Sequence, residues 1–151
     1  MTARTADARA ALPPALAEVL ADYEEHLRWQ RDLSAHTLRG YVGDAVWLLD
    51  HLVRRGGTRI EDLDLPTLRS WLAHNRTRGA GRATIARRAA AARSFTRWLR
   101  RSGLTPEDVG LRLVSPKAHR TLPGVLAPEQ AKAVVESASG ADEPVRLRDA
   151  V

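Results

Sequence analysis

Residues 34–57 read SAHTLRGYVGDAVWLLDHLVRRGG, the stretch with the clearest helical pattern in the chain. Its apolar residues recur at spacings of three and four, which places them on one face of a helix. Ser34 is the expected N-cap, because its hydroxyl can accept a hydrogen bond from a free amide of the first turn. Gly56 and Gly57 are the expected end. The inward face consists of Leu38, Tyr41, Ala45, Leu48 and Leu52.

Helices are also expected on both sides of this stretch. Before it, Pro13 or Pro14 begins a helix, because proline is tolerated in a first turn. After it, Asp64 caps a third helix, and a fourth runs from about Ala83 to Ser102 and ends at Gly103. The inward-facing residues of these three helices are Leu16, Leu20, Tyr23 and Leu27; Leu65, Leu68, Trp71 and Leu72; and Ile85, Ala89, Ala92, Phe95 and Leu99.

The predicted fold class is all-α, a bundle of four to five helices. No stretch of residues 1–110 alternates apolar and polar residues as a half-buried strand does. A further short helix is expected to start at 105–107, and the prolines that follow without periodicity are typical of an interdomain linker. The predicted boundaries are a flexible N-terminus at 1–12, a helical domain at 13–112, a linker at 113–125 and the start of a second domain at 126–151.

The composition excludes several classes of protein. With 44% hydrophobic and 28% charged residues, the 151 residues are typical of a globular protein that buries one core. The absence of cysteine excludes disulfides and thiolate metal sites and favours a reducing cytosol. No apolar run approaches the roughly 20 residues that span a bilayer, and the first residues lack the apolar core of a signal peptide. We therefore expect a cytoplasmic protein with no membrane partner.

No cofactor or metal is expected from the motifs. The histidines do not have the H-E-x-x-H spacing or a similar ligand pattern, which argues against zinc. The sequence also lacks the G-x-x-x-x-G-K-[ST] phosphate loop and the G-x-S-x-G motif of a nucleophilic serine. The five histidines are His26, His36, His51, His74 and His119.

Positive charge is concentrated in the middle of the chain. Residues 66–120 contain 13 basic and 2 acidic residues, whereas residues 1–65 contain 8 and 11, and residues 121–151 contain 3 and 5. Twelve of those 13 are arginine, whose planar guanidinium suits phosphate and guanine recognition. A polyanion is the expected partner. The alternative, a genome that favours arginine on solvated surfaces, explains the preference over lysine but not the scarcity of acids.

Three segments together resemble the Xer branch of the tyrosine recombinases, in the phage integrase family. Residues 34–44 are similar to its Ser-x-x-Thr-x-x-x-Tyr-x-x-Asp helix opening. Residues 84–99 are similar to a family helix that ends in aromatic-x-x-aromatic-Leu. Residues 115–129, from Ser-Pro-Lys to Leu-Ala-Pro-Glu, resemble the linker into the catalytic domain. Order and spacing agree over about 100 residues, which makes the combination more specific than any one motif.

The resemblance implies a core-binding, SAM-like bundle that forms one jaw of a C-shaped clamp around double-stranded DNA. In the full-length parent, other recombinase protomers are implied as partners, in a tetramer on DNA. The implied function is DNA binding in site-specific recombination and integration, including chromosome dimer resolution at cell division, with a nucleoid-associated location. The alternatives are the DNA-binding domain of a phage or plasmid integrase and a non-catalytic helical protein-interaction module whose arginines keep it soluble.

The resemblance also implies that no catalytic residue lies in this chain. In the family, a tyrosine cleaves the DNA strand with the help of arginines, a lysine and histidines, all in the C-terminal catalytic domain. The first of these arginines is expected roughly a helix beyond Val151, so residues 126–151 correspond to the start of a truncated catalytic domain. The tyrosines present, Tyr23 and Tyr41, lie on apolar helix faces and are interpreted as core residues. We therefore expect no enzyme activity from this chain alone.

Candidate DNA-binding residues lie at two helix starts and in the linker. Free amides and the positive dipole end favour a phosphate at a helix start, and a helix that enters the major groove brings its first turns to base edges. Simple capping is the alternative for Ser34, and a solvated face is the alternative for each arginine. The candidates are Ser34, His36, Thr37 and Arg39 on the second helix, Arg82, Thr84, Arg87 and Arg88 on the fourth, and Lys117 and Arg120 in the linker.

Two expectations concern how these residues are arranged. Arg87 is the strongest single candidate because the helical wheel points it outward, whereas Arg88 flanks the apolar face and is alternatively a packing or salt-bridge residue. The start of the fourth helix should lie beside Ser34 to make one positive surface. Gly40 and Gly43 indicate either close approach of another molecule's backbone or tight helix packing, and the sequence does not separate the two.

Overall fold

The computed structural model describes residues 2–30 and 32–114. Within them the chain forms α-helices and short 3₁₀ turns and no strand, so the predicted all-α bundle is confirmed. The 3₁₀ turns are Ile60–Asp62 and Val109–Arg112. The helices are α1 (Ala3–Ala10), α2 (Pro14–Trp29), α3 (Ala35–Arg54), α4 (Leu65–Thr77) and α5 (Arg82–Arg101).

The predicted starts of the four helices agree with the structure to within about one residue. The Ser34 hydroxyl accepts from the Thr37 amide at 3.1 Å and caps α3. The Asp64 carboxylate accepts from the Thr67 amide at 2.8 Å and caps α4. At the other ends of α3 and α5 the chain turns at glycines in the left-handed region. Their φ angles are +92° at Gly56 and +73° at Gly103, which other residues rarely adopt.

The prediction of a flexible N-terminus at 1–12 is wrong, because these residues contain helix α1, which packs against α3. The Arg9 guanidinium forms an ion pair with Glu24 of α2 at 2.8 Å, and Leu12 is buried in the core. A helix of eight residues gains little stability from its own hydrogen bonds, so α1 depends on these tertiary contacts. The short helix expected to start at 105–107 is instead the 3₁₀ turn Val109–Arg112.

An aromatic cluster fixes α2 against α5. The Tyr23 ring centroid lies 4.8 Å from that of Phe95 and 5.2 Å from that of Trp98. The Tyr23 hydroxyl donates to the Ser94 hydroxyl at 3.1 Å, and burial raises the pKa of Tyr23 to about 12. Tyr23 is therefore a core residue, as predicted, whereas Tyr41 is only half-buried against the core.

Helix α3 is the centre of the bundle, because α1, α2, α4 and α5 all pack against it. From Val42 onward it is buried on more sides than the single predicted face, since Val42, Val46 and Leu49 are also in the core. In the part of the chain that the structure describes, no helix is long and apolar enough to cross a membrane. The predicted linker beyond Val114 and the segment 126–151 lie outside the described residues, and the domain boundaries stay predictions.

Candidate nucleic-acid interface

The start of α5 is attached to the middle of α3 by one buried carboxylate. Arg87 donates to and forms an ion pair with Asp44, and the Arg88 Nε lies 3.6 Å from an Asp44 carboxylate oxygen. Arg88 also donates to the side-chain oxygen of Asn75 on α4. Three helices therefore meet in one polar cluster, which we call the Asp44 cluster: Asp44, Asn75, Arg87 and Arg88.

The Asp44 cluster carries an excess of positive charge. Burial raises the pKa of the Asp44 carboxyl, and the guanidinium groups of Arg87 and Arg88 oppose this shift by favouring the charged form. One carboxylate faces two guanidinium groups, so one positive charge is not neutralised within the cluster. The Arg87 side chain is 45% exposed and that of Arg88 is 22% exposed. Arg87 is therefore the member that a ligand can reach.

The arrangement differs from the expected one in two respects. Asp44 is ten residues from Ser34, or about 15 Å along the helix axis, so the α5 start lies beside the middle of α3 and not beside its first turn. Arg87 faces outward as predicted but is also held by a carboxylate, and Arg88 makes the salt bridge that was its alternative role. The candidate surface is thus a strip along α3 with α5 attached at its middle.

The other candidates on α3 and α5 lie at the surface. Ser34, His36 and Arg39 are exposed, and Thr37 is half-buried with its hydroxyl 2.9 Å from that of Ser34. His36 and Arg39 form no hydrogen bond or ion pair with other side chains among residues 2–30 and 32–114. On α5, Arg82 is exposed and Thr84 is half-buried. Lys117, Arg120 and the motif at 115–129 lie outside the described residues.

The start of α5 also has no side-chain cap. Its N-cap is Gly81, which supplies no acceptor, whereas Ser34 and Asp64 cap the neighbouring helices. There is no acidic residue in the first turn of α5. Amides at an uncapped helix start remain available to an anion, and the helix dipole favours one there.

Neither glycine of α3 is required by helix packing. A Cβ atom added at Gly40 would lie 3.5 Å from an Arg87 guanidinium nitrogen, which is an ordinary contact. One added at Gly43 would have no neighbour within 4 Å among the described residues. The tight-packing interpretation is therefore not supported at Gly43, and the close approach of another molecule remains.

We expect Gly43→Ala to stabilise the protein by about 0.5 to 1 kcal/mol, because alanine restricts the unfolded chain and favours a helix interior. Chemical denaturation followed by circular dichroism measures the change. If a DNA backbone approaches α3 at this position, the same variant binds duplex DNA more weakly although it is more stable. Unchanged binding by the stabilised variant would argue against that approach.

Sequence reasoning missed the residues that hold the arginines. Asp44 is the last position of the motif at 34–44. Its being an aspartate did not indicate that the side chain faces α5 instead of solvent. Asn75 was not among the candidates, and it lies on α4 within hydrogen-bond distance of Arg88. The available signal was the position of Asp44 directly before the apolar residues Ala45 and Val46, since a buried acid requires a cationic partner.

Comparison with known proteins agrees with the resemblance found in the sequence. The family model for the phage integrase N-terminal SAM-like domain matches residues 20–103. Tyrosine recombinase XerC of Mycobacterium leprae is 45% identical over 134 residues, covering 87% of this chain and 45% of that relative. Tyrosine recombinases XerC of Mycobacterium bovis and of a Mycobacterium species (strain JLS) are 44% and 42% identical with the same coverage. No solved structure matches the chain.

The chain spans less than half the length of these relatives. The family model covers more than half of the chain and includes both helices that carry the candidate surface. The resemblance of the sequence to Xer-type recombinases is confirmed, and the chain belongs to the family of phage integrase N-terminal SAM-like domains.

Proposed function

We propose that this chain binds double-stranded DNA as the N-terminal clamp domain of a Xer-type tyrosine recombinase. The observation that carries the proposal is Arg87, which is half-exposed at the start of α5 and fixed by the buried Asp44. A guanidinium that is already oriented loses less conformational freedom when it binds a phosphate or a guanine edge. The Asp44 cluster keeps a net positive charge, so the ion pair does not remove the attraction to DNA.

The candidate surface has three kinds of contact available. The uncapped amides at the start of α5 can bind one phosphate. Arg82, Thr84 and Arg87 lie in the first two turns of the same helix and are the side chains available for neighbouring contacts. On α3, His36 and Arg39 are exposed, and Gly43 leaves open space for a sugar-phosphate backbone. We propose Lys117 and Arg120 as further phosphate contacts of the segment that follows.

The reaction and the assembly belong to this proposal as well. The relatives are named tyrosine recombinases, and we assign strand cleavage to the portion of them that this chain does not span. We propose that the parent acts as a tetramer on DNA in recombination, with chromosome dimer resolution at cell division as its role. A cytoplasmic, nucleoid-associated location follows from a DNA partner.

The direct test is duplex binding by the 151-residue chain as a function of salt. At physiological salt we expect a dissociation constant of about 10⁻⁴ to 10⁻⁶ M, and tighter binding in low salt, because an isolated clamp jaw is dominated by phosphate contacts. Each neutralised phosphate releases about 0.9 of a counterion, so log K should fall steeply and linearly against log salt. Fluorescence anisotropy with a labelled 30-base-pair duplex measures both quantities.

Two outcomes separate this proposal from its competitors. Absence of duplex binding at micromolar protein in low salt would favour a helical protein-interaction module. Binding that does not change with salt would show that the arginines do not contact phosphates. A phage or plasmid integrase origin predicts the same binding, and only the DNA sequence that is preferred separates it from a chromosomal role.

A further inference from the structure

A groove beside the Asp44 cluster is lined by basic residues from four separate elements. It encloses about 570 Å³ between α1, the second half of α3, the end of α4 and the start of α5. Trp47 lies in its lining, and we call it the Trp47 groove. Its arginines are Arg4 of α1, Arg54 of α3, Arg78 after α4 and Arg88 of α5.

Two of these arginines have no acidic partner in the part of the chain that the structure describes. Arg54 forms an ion pair with Asp50 at 2.8 Å, and Asp50 is the one acid in the lining that the structure describes. Arg88 shares Asp44 with Arg87. Arg4 and Arg78 form no ion pair within residues 2–30 and 32–114. The groove therefore has a positive excess that the described part of the protein does not neutralise.

Arg4 lies over an aromatic ring. Its guanidinium carbon lies 5.9 Å from the centroid of Trp47, in the range of a cation–π contact. A guanidinium over a ring keeps the donors along its edge available for a phosphate. Helix α1, which carries Arg4, lies before the residues 20–103 that the family model matches. This contact is therefore an addition to the surface that α3 and α5 provide.

His51 of the groove contributes a hydrogen bond more than a positive charge. His51 and His74 have ring centroids 5.8 Å apart, and His51 is within 3.1 Å of the Ser70 hydroxyl. Burial lowers the pKa of His51, the neighbouring His74, Arg55 and Arg54 lower it further, and Asp50 opposes them. The arginines therefore supply the fixed positive charge of the groove.

The groove is continuous with the α5 start. Thr84 and Arg88 line the groove and also belong to the candidate DNA-binding residues. A duplex that contacts the first turns of α5 would therefore pass the mouth of the groove. Since DNA carries a charge for about every 1.7 Å of its axis, phosphates are present wherever the duplex passes.

We propose that the Trp47 groove binds backbone phosphates of the duplex next to the segment contacted by α5, with Arg4 and Arg78 as the contacting residues. This inference rests on the proposed DNA-binding function and extends it to α1 and to the connection after α4. Contacts of this kind carry no sequence information and increase affinity equally for all duplexes.

The test compares the double variant Arg4→Ala/Arg78→Ala with the unchanged 151-residue protein on two unrelated 30-base-pair duplexes. We expect the slope of log K against log salt to become less steep by about 1.8, from two contacts of about 0.9 each. The affinity loss should be equal on both duplexes. Arg100→Ala/Arg101→Ala is the matched control, because it removes the same charge about 24 Å along α5 from Thr84.

Each outcome decides the inference. If the Arg4/Arg78 variant keeps the original slope, or changes it no more than the Arg100/Arg101 control, the groove does not bind DNA. If the unchanged protein does not bind duplex DNA at all, both the proposed function and this inference are wrong. Loss of Arg4 could also loosen the packing of α1, so the single variant Arg78→Ala, in an exposed connection, is measured as well. It should change the salt slope by half as much as the double variant.

Discussion

Replacing Asp44 by alanine is expected to destabilise the protein by about 3 kcal/mol. Removing one partner of a buried ion pair leaves the other charge without compensation, which commonly costs about 3 to 5 kcal/mol. Here Arg87 is 45% exposed and can turn toward water, whereas Arg88 is 22% exposed and its Nε already makes no hydrogen bond. We therefore expect the lower end of that range. Urea denaturation followed by circular dichroism measures the loss.

The matched control is Asp50→Ala, on the same helix. Asp50 also pairs with an arginine, at 2.8 Å, but its partner Arg54 is 64% exposed and lies one helical turn away. Pairs of this kind contribute about 0.3 to 0.5 kcal/mol, so the control should lose little stability. Similar losses for the two variants would mean that Asp44 is not an essential partner of the arginines.

A second substitution tests the mechanism of the loss. In Asp44→Ala/Arg88→Met the buried charge is removed together with its partner, so the double variant should be more stable than Asp44→Ala alone. Such non-additivity is expected for residues in one polar network. If the two losses simply add, the cost of Asp44→Ala comes from lost packing and not from the unpaired guanidinium.

The sequence was sufficient to predict the helices of the bundle but not how they pair. Long apolar patterns and the caps Ser34 and Asp64 located four helices, because both signals are local. Helix α1 was missed because its short, alanine-rich sequence has no apolar face and is helical only through contacts with α2 and α3. The wider burial of α3 was missed for a related reason, since its extra core residues are explained only by helices on several sides.

The sequence predicted which residues belong to the candidate surface but not how they are arranged. The helical wheel showed that Arg87 faces away from the apolar side of α5. It did not show that Asp44, 43 positions earlier, lies beneath Arg87 and fixes it. The Trp47 groove was not predictable either, because its arginines come from four elements whose arrangement depends on the packing of the whole bundle.

Arg87→Ala is expected to have the largest effect on DNA binding, a loss of duplex affinity corresponding to about 1 to 3 kcal/mol, or about 5- to 150-fold. Arg87 combines exposure with a fixed orientation, whereas Arg97 on the same helix is exposed without an ion pair among the described residues. Arg97→Ala, which removes the same charge, is the matched control and should weaken binding only slightly. Fluorescence anisotropy at constant low salt gives both affinities.

Selection of bound duplexes from a random pool shows what Arg87 contacts. If Arg87 contacts a base edge, the unchanged protein enriches one base position strongly, and Arg87→Ala loses that enrichment. Arg87→Lys keeps the charge but cannot form two parallel hydrogen bonds to guanine. This variant should therefore lose the base preference to a greater extent than it loses affinity for duplex DNA. Folding should be intact in both variants, because Asp44 keeps Arg88 as a partner. If Arg87→Ala binds and selects like Arg97→Ala, Arg87 only anchors α5 to α3 and the DNA contacts lie elsewhere on the strip.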